Sequence, residues 1–431
     1  MGETGTTFDW TTAFADRLVT AEAVAARVAD GDTVMCSLPE PTAFLLALAQ
    51  RTDLNKIAVF VPAPRRGGAA AAANPSIEIR AGFITQVLRK AGVSAEVVPL
   101  RLQDWAGYAR RNQARITVVQ TATPLADGTV MPGSVMAGND ELVRRQRGPN
   151  DLVFALANPV VPHVPGDHFH VDDFDGIIEI PSRGATPVFD ERTPPTDLAP
   201  YIGALDDLIP DGATVQAGVG GLSEVCLAAL THKRDLGIHT EVLGPGLVDL
   251  MKSGSANGRL KTQHQGQATF TIAQPETFEY IDGNPDCQII PAQFQLDHMT
   301  IAQNRDMRCV NSSLELDLWG QANSEMINGM QHSGVGGQLD FLRGCQLSDT
   351  ALSILMMPST AAGGKISRIV PRVATNAVTA TRYDTQVVVT EHGVAWLRDA
   401  SVRQKAERLI AIAHPDHRAE LTEEAQRGGL I

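Results

Sequence analysis

The chain has 431 residues, 43% of them hydrophobic and 20% charged, with a formal net charge of −13. That length exceeds one ordinary hydrophobic core and predicts two domains, and an acidic balance without a basic block speaks against nucleic acid and anionic membrane as partners. No apolar run approaches the ~18 residues of a membrane span, and five scattered cysteines without a CxxC pair fit a reduced cytoplasmic interior better than a disulfide frame or zinc site.

The opening MGETGT matches the N-myristoylation pattern only over a few residues before Glu3 intervenes, so it is not read as an anchor. Residues 20 to 60 then read helix, strand, loop, helix, strand. Val24 and Val28 lead into DGDTVMCS (Asp30 to Ser37), followed by PEPTAFLLALAQR and KIAVFVP. Further buried strands are predicted at Ile116–Gln120, Leu152–Ala157 and Gly176–Ile180, between GND and PGD turns. In PHVPGDHFHVDD, His163, His168 and His170 lie near Asp167 and Asp172, but the spacing fits no common zinc pattern and no metal is assigned. The Pro-rich, aperiodic segment from Pro181 to Pro200 reads as a linker. It divides the chain into a domain of residues 1–185, a linker of 186–200 and a domain of 201–431.

The opening pattern returns after the linker. Ile202, Leu205, Leu208 and Ile209 form a helical stripe, and DGATV at 211–215 repeats DGDTV at 30–34 with an offset of 181 residues (211 minus 30). Matching element order on both sides predicts a duplicated α/β domain. The copies differ where chemistry would sit, because the first has SLPEP (Ser37 to Pro41) where the second has GVGGL.

The stretch from Asp211 to Gly246 is the richest in the chain. Thr214–Ala217 reads as a strand ending in Gly218, Val219, Gly220 and Gly221. A helix follows, with a stripe of Leu222, Val225, Cys226, Ala229 and Leu230, Ser223 as its cap, and Gly237 at its far end. A second strand, Ile238–Leu243, carries Glu241. A carboxylate beside a cluster of backbone N–H groups suits attack on a thioester or ester carbonyl, with the glycine amides holding the oxyanion. The plainer alternative is a tight βα turn and a solvated strand-end glutamate.

In SSLELDLWG, Leu314, Leu316 and Leu318 alternate with Ser313, Glu315 and Asp317, so the two carboxylates share one face of a strand; they compete with Glu241 as a catalytic pair, though the favoured reading is a half-exposed strand. A second glycine loop follows in HSGVGGQLDF (His332 to Phe341), with Arg343 behind it. PSTAAGGKISRIVP (Pro358 to Pro371) is not a Walker A loop, since Ser359 stands where that motif needs glycine. Its Lys365 and Arg368, with Arg372 and Arg382, either meet a diphosphate or balance surface charge. His414 and His417, split by Pro415, read as a helix junction within an amphipathic tail whose last residues fray.

With these residues in hand, the chain resembles the acetyl-CoA hydrolase/transferase family of class I CoA-transferases, which includes 4-hydroxybutyrate and succinyl-CoA:acetate CoA-transferases. GVGGL, HTEV, NSSLELDLWGQ, GVGGQLDF, PSTAAGGKISRIVP, TEHGVAWLR and AIAHPDHR stand in the family's order. The resemblance implies two similar, duplicated α/β domains with the active site in the interdomain cleft. It implies Glu241 as nucleophile, with Gly218, Val219, Gly220, Gly221, Leu222, Asn311, Gly334, Gly336, Gly337 and Gln338 contacting CoA or its thioester. It also implies CoA transfer from a short acyl-CoA to a carboxylic acid through a glutamyl-CoA thioester, with acyl-CoA hydrolysis by the same glutamate as the alternative and non-catalytic CoA binding as a third reading. CoA is then a substrate and not a resident cofactor, and the enzyme a cytoplasmic homodimer. The chain departs from the family at Ser223, Gly244-Pro245-Gly246, Trp319, His392 and Asp399, which puts the acyl pocket in question.

Overall fold

A computed structural model describes residues 8–112, 114–180, 197–218 and 221–431. They form two compact units, described in turn. The first takes residues 8–98, 103–180 and 278–291, and the second takes 99–102, 197–277 and 292–431. Most of the predicted linker lies outside the described residues.

The first unit holds strands β1 (Leu18–Val19), β2 (Thr33–Cys36), β3 (Ile57–Phe60), β4 (Ile77–Ala81), β5 (Glu96–Val97), β6 (Ile116–Thr121), β7 (Leu152–Ala157) and β8 (Gly176–Glu179). They pair in parallel in the order β1-β8-β7-β6-β2-β3-β4-β5. Helices α1 (Thr42–Ala49) and α2 (Arg66–Ala72) follow β2 and β3. The strands are apolar runs because both faces of a parallel sheet are covered. Phe44, Leu45 and Leu48 from α1 accordingly pack with Val34, Val59, Val118 and Phe154 from the sheet.

The second unit holds α3 (Ala199–Leu208), β9 (Thr214–Ala217), α4 (Leu222–Ala228), β10 (Gly237–Leu243), α5 (Pro245–Lys252), β11 (Ala268–Ala273), α6 (His298–Gln303), β12 (Arg308–Ser312), α7 (Gln338–Gln346), β13 (Leu352–Met356), β14 (Val387–Thr390), β15 (Gly393–Trp396), α8 (Val402–Ala411) and α9 (Pro415–Arg427). Its sheet runs β11-β10-β9-β12-β13-β14-β15, parallel except for the last pair. The order β4-β3-β2-β6-β7-β8 of the first unit thus recurs as β11-β10-β9-β12-β13-β14. Each unit reverses its winding once, between β2 and β6 in one and β9 and β12 in the other, where a crevice opens at the strands' carboxyl ends.

A buried glutamate repeats too. Glu40 accepts the backbone N–H groups of Arg65, Gly67 and Gly68 at 2.7, 2.7 and 2.9 Å, with the Thr42 hydroxyl at 3.0 Å, bracing the start of α2. In the second unit Glu224 accepts the N–H of Gly246 at 3.2 Å, at the start of α5. Each carboxylate follows the first strand of the reversal and braces the helix after the next strand, a favourable placement for a negative charge.

The helix junction read at His414 and His417 is present: the tail is two helices, and His414 caps α9 through its ring nitrogen on the Asp416 N–H at 3.3 Å. Two other expectations change. The last residues do not fray, since the Leu430 N–H bonds the Ala425 carbonyl at 2.8 Å. PSTAAGGKIS is an antiparallel hairpin, Thr360–Ala361 with Ile366–Ser367, turning through Ala362, Gly363 and Gly364 at positive φ. Without a helix behind it, that loop offers no phosphate-binding helix start.

Candidate active site

Glu241 stands near the end of β10. Thr214 pairs with Gly237 and Val215 with Ile238, a register that carried forward sets Glu241 level with Gly218. The Thr240 hydroxyl donates to the Ala217 carbonyl at 3.5 Å, consistent with that alignment. Gly218, the first residue of the glycine loop, therefore stands level with the glutamate on the neighbouring strand.

Local geometry refines what this loop does. Gly218 gives its own N–H to the Val310 carbonyl at 2.7 Å, so that amide completes the sheet. Val219 and Gly220 lie outside the described residues. Gly221 begins α4 at φ +89, in the left-handed region that favours glycine. Ser223 is not the cap: it lies inside the helix, buried, and its hydroxyl donates to the Gly218 carbonyl at 3.2 Å. The predicted stripe shifts as well, with Leu222, Ser223, Glu224, Cys226 and Leu227 buried and Val225 exposed.

The second glycine loop makes the direct contact. Gly337, the N-cap of α7, donates its N–H to Glu241 Oε2 at 2.9 Å. Gly336 just before it turns at φ +59, and Gln338 donates from its side chain to the Ser312 carbonyl at 3.0 Å. Gly334 is half-buried at the loop's start. Asn311, on β12, is paired amide to amide with Gln216, at 3.1 and 2.9 Å, beneath Gly218. The structure thus gathers Glu241, Gly218, Asn311, Gly336, Gly337 and Gln338 around the carboxyl ends of β9, β10 and β12.

Burial pushes the Glu241 carboxyl up to about 7, reinforced by the nearby Asp340 charge and opposed by the Gly337 N–H. Asp340 was not singled out from the sequence. Its side chain is fully buried, and Oδ1 accepts from Arg101 Nη1 at 2.8 Å and meets His298 Nε2 at 3.2 Å. Its place in the first turn after the second glycine loop was the available signal. Arg101, 239 residues away, offered none. Below Glu241 on the same strand, His239 bonds the Gln295 carbonyl at 2.8 Å and the Thr269 hydroxyl at 3.2 Å, and burial pulls its ring down to about 3, so it stays neutral.

The competing carboxylates are already committed. Asp317 is fully buried, accepting the Trp319 and Gln321 backbone N–H groups at 3.0 and 2.9 Å, the Gln321 side chain at 2.8 Å and the Val373 N–H at 3.2 Å. Glu315 accepts the side-chain amides of Asn323 at 3.0 Å and Asn376 at 2.5 Å. Both hold turns in place. The guanidinium carbons of Arg372 and Arg382 stand 5.5 and 5.6 Å from the Trp319 ring centre. Part of the basic cluster is thereby engaged with an indole.

Other departures also have local causes. A Cβ on Gly244 would stand 2.0 Å from Glu224 Oε1, so the glutamate brace demands glycine there. Asp399 sits at φ +58, a backbone that glycine adopts freely. His392 packs edge-on against His414, ring centres 5.4 Å apart. Of the residues first weighed for metal, Asp167 pairs with Arg144 at 2.7 Å, and Asp172 pairs with Arg17.

A family model described as acetyl-CoA hydrolase/transferase C-terminal domain matches residues 274–425. The chain is 35% identical over 422 residues to the succinyl-CoA:cyclohexane-1-carboxylate CoA transferase of Geobacter metallireducens, covering 94% of each. Among solved structures, RipA from Yersinia pestis matches with a TM-score of 0.87 at 32% identity, covering 98% of this chain and 100% of that one. The 4-hydroxybutyrate CoA-transferase of Porphyromonas gingivalis matches with a TM-score of 0.79 at 31% identity, covering 97% and 100%. With similarity of that degree along nearly the full length of both chains, the chain belongs to the acetyl-CoA hydrolase/transferase family.

Proposed function

We propose that this chain, a CoA-transferase by its family, moves CoA from a short-chain acyl-CoA to a carboxylic acid through a thioester on Glu241. The observation that carries the reading is the Glu241 carboxylate at a strand end, with Oε2 on the Gly337 N–H at 2.9 Å and the Gly218 loop alongside.

A Glu241 oxygen attacks the thioester carbon and the CoA thiolate leaves, forming a mixed anhydride. The thiolate then attacks the Glu241 carbonyl carbon and expels the first carboxylate, leaving glutamyl-CoA. A second carboxylate attacks that thioester and releases the thiolate. The thiolate attacks the new acyl carbon, which forms the product acyl-CoA and frees Glu241. When the thiolate adds to the Glu241 carbonyl, negative charge grows on an oxygen that Gly337 can already hold, a placement worth several kcal/mol in comparable oxyanion sites, roughly 10² to 10³ in rate. The anion is the reactive form of Glu241, so the first step speeds up as pH rises through about 7.

Gly218, Val219, Gly220, Gly221, Leu222, Asn311, Gly334, Gly336, Gly337 and Gln338 form the CoA-facing surface in this reading. Among the described residues no helix is long and apolar enough to cross a membrane. The five cysteines are free and buried, which supports a cytoplasmic setting; the homodimer follows from the resemblance and is checked by sedimentation.

Incubation with acetyl-CoA and no acceptor is expected to leave CoA on the peptide bearing Glu241, and none in E241Q. An unmodified peptide, or CoA on Glu315, overturns the assignment. Thioester loss that needs no acceptor acid marks hydrolysis instead of transfer.

A further inference from the structure

We propose that Arg101 is a positioning residue for Glu241, acting through Asp340. The inference rests on Glu241 as nucleophile. Residues 99–102 are a four-residue strap that belongs to the second unit although the chain on either side of it belongs to the first. The strap holds the site at two adjacent points. Arg101 Nη1 donates to Asp340 Oδ1 at 2.8 Å, and the Leu102 N–H donates to the Gly336 carbonyl at 3.2 Å. Gly336 immediately precedes the residue that bonds Glu241, and Asp340 lies in the first turn of the same helix. One strap therefore controls both where the N–H points and how much negative charge stands near the nucleophile.

The charges around Glu241 make this matter. On β10, His239 is buried and neutral, and Lys261 donates from its ammonium to the Ile238 and Gln267 carbonyls at 2.8 Å each and to the hydroxyl of that histidine's partner, Thr269, at 3.2 Å. From α7 comes Asp340, from α6 His298, and from the strap Arg101. Asp340 is the carboxylate whose charge disfavours ionised Glu241. A guanidinium on Asp340 Oδ1 offsets that repulsion without touching the nucleophile, so the anion persists near neutral pH.

The test measures the pH dependence of the first half-reaction, formation of the Glu241 adduct in a single turnover with acetyl-CoA. Arg101→Met should shift its midpoint up by about one unit, which is about tenfold slower at pH 6 with little change at pH 9. Asp340→Asn should shift it down, Arg101→Lys should restore most of the wild-type midpoint, and the double variant should titrate like Asp340→Asn because Arg101 acts through that residue. A uniform slowing at every pH, or additive shifts in the double variant, overturns the proposal. Infrared difference spectra of wild type against E241Q read the same titration without catalysis. If that titration moves in Arg101→Met but no adduct forms in wild type, the nucleophile assignment fails and the charge coupling stands. If the adduct forms and neither midpoint moves, the coupling alone fails.

Discussion

Gly337 and Glu241 are coupled twice over: the Gly337 N–H bonds Oε2, and a Cβ on residue 337 would stand 2.7 Å from that same oxygen and 2.9 Å from Leu296 Cδ2. Glycine is required here for the space a carboxylate occupies. Gly337→Ala is therefore expected to displace the Glu241 carboxylate, lowering kcat by about 10²-fold if Glu241 is the nucleophile, since a misplacement of about 1 Å in a reactive pair has a cost of that order. Turnover assays with a thermal melt check it: the melt should move by only a few degrees, and a variant with near-normal kcat refutes the coupling.

The raised Glu241 carboxyl also predicts a stability effect of defined sign. Its folded value near 7 exceeds its ordinary 4.5, so the folded state holds the proton more tightly, and this contribution is full below about 4.5 and lost as pH rises through about 7. Glu241→Gln removes the cost of burying the anion. The variant should match wild type below pH 4.5 and become more stable above pH 7, by at most about 3 kcal/mol. Denaturant titrations at pH 4, 6 and 8 measure this, and a variant less stable at pH 8 contradicts it.

Two glycines should respond in opposite directions. Gly244→Ala forces a methyl against Glu224 Oε1, 2.0 Å away in the present geometry, and should destabilise by about 2 to 4 kcal/mol. Gly203 is exposed within α3, and its added Cβ would meet nothing within 4 Å. Gly203→Ala should stabilise by about 0.5 to 1 kcal/mol through reduced freedom of the unfolded chain. Chemical denaturation of both variants decides the pair.

Glu315 offers a contrast with Glu241. Its carboxylate holds Asn323 and Asn376. Glu315→Gln should therefore lose about 1 kcal/mol of stability while keeping kcat within about twofold. A collapse of turnover in a folded Glu315→Gln protein would return it to the catalytic role first weighed for it.

Legibility in the sequence followed the range of the interactions involved. Thr214–Ala217 and Leu152–Ala157 were read to the residue because buried parallel strands are short apolar runs between turn signals. Glu241 stood out because a carboxylate beside glycine amides is chemically unusual. Ser223 was misread as a cap because hydroxyl residues favour that position, whereas Gly221 at φ +89 takes it and turns the serine inward. Asp317 looked half-exposed by alternation, but four donors from its own turn and from Val373 draw it into the interior. Arg101 and Asp340 meet only after folding, and no local pattern encodes a pair so far apart in the chain.

The repeated winding has one more consequence. Thr33 pairs with Ala58 as Thr214 pairs with Gly237, so the first unit's counterpart of Glu241 is Pro62. Proline there has no nucleophile to offer, and its carbonyl is occupied by the N–H groups of Gly82 and Phe83, each at 3.0 Å. With Glu241 as the proposed carrier and proline at its counterpart, intact-mass measurement under excess donor is expected to saturate at one CoA per chain, and a second CoA would contradict that reading.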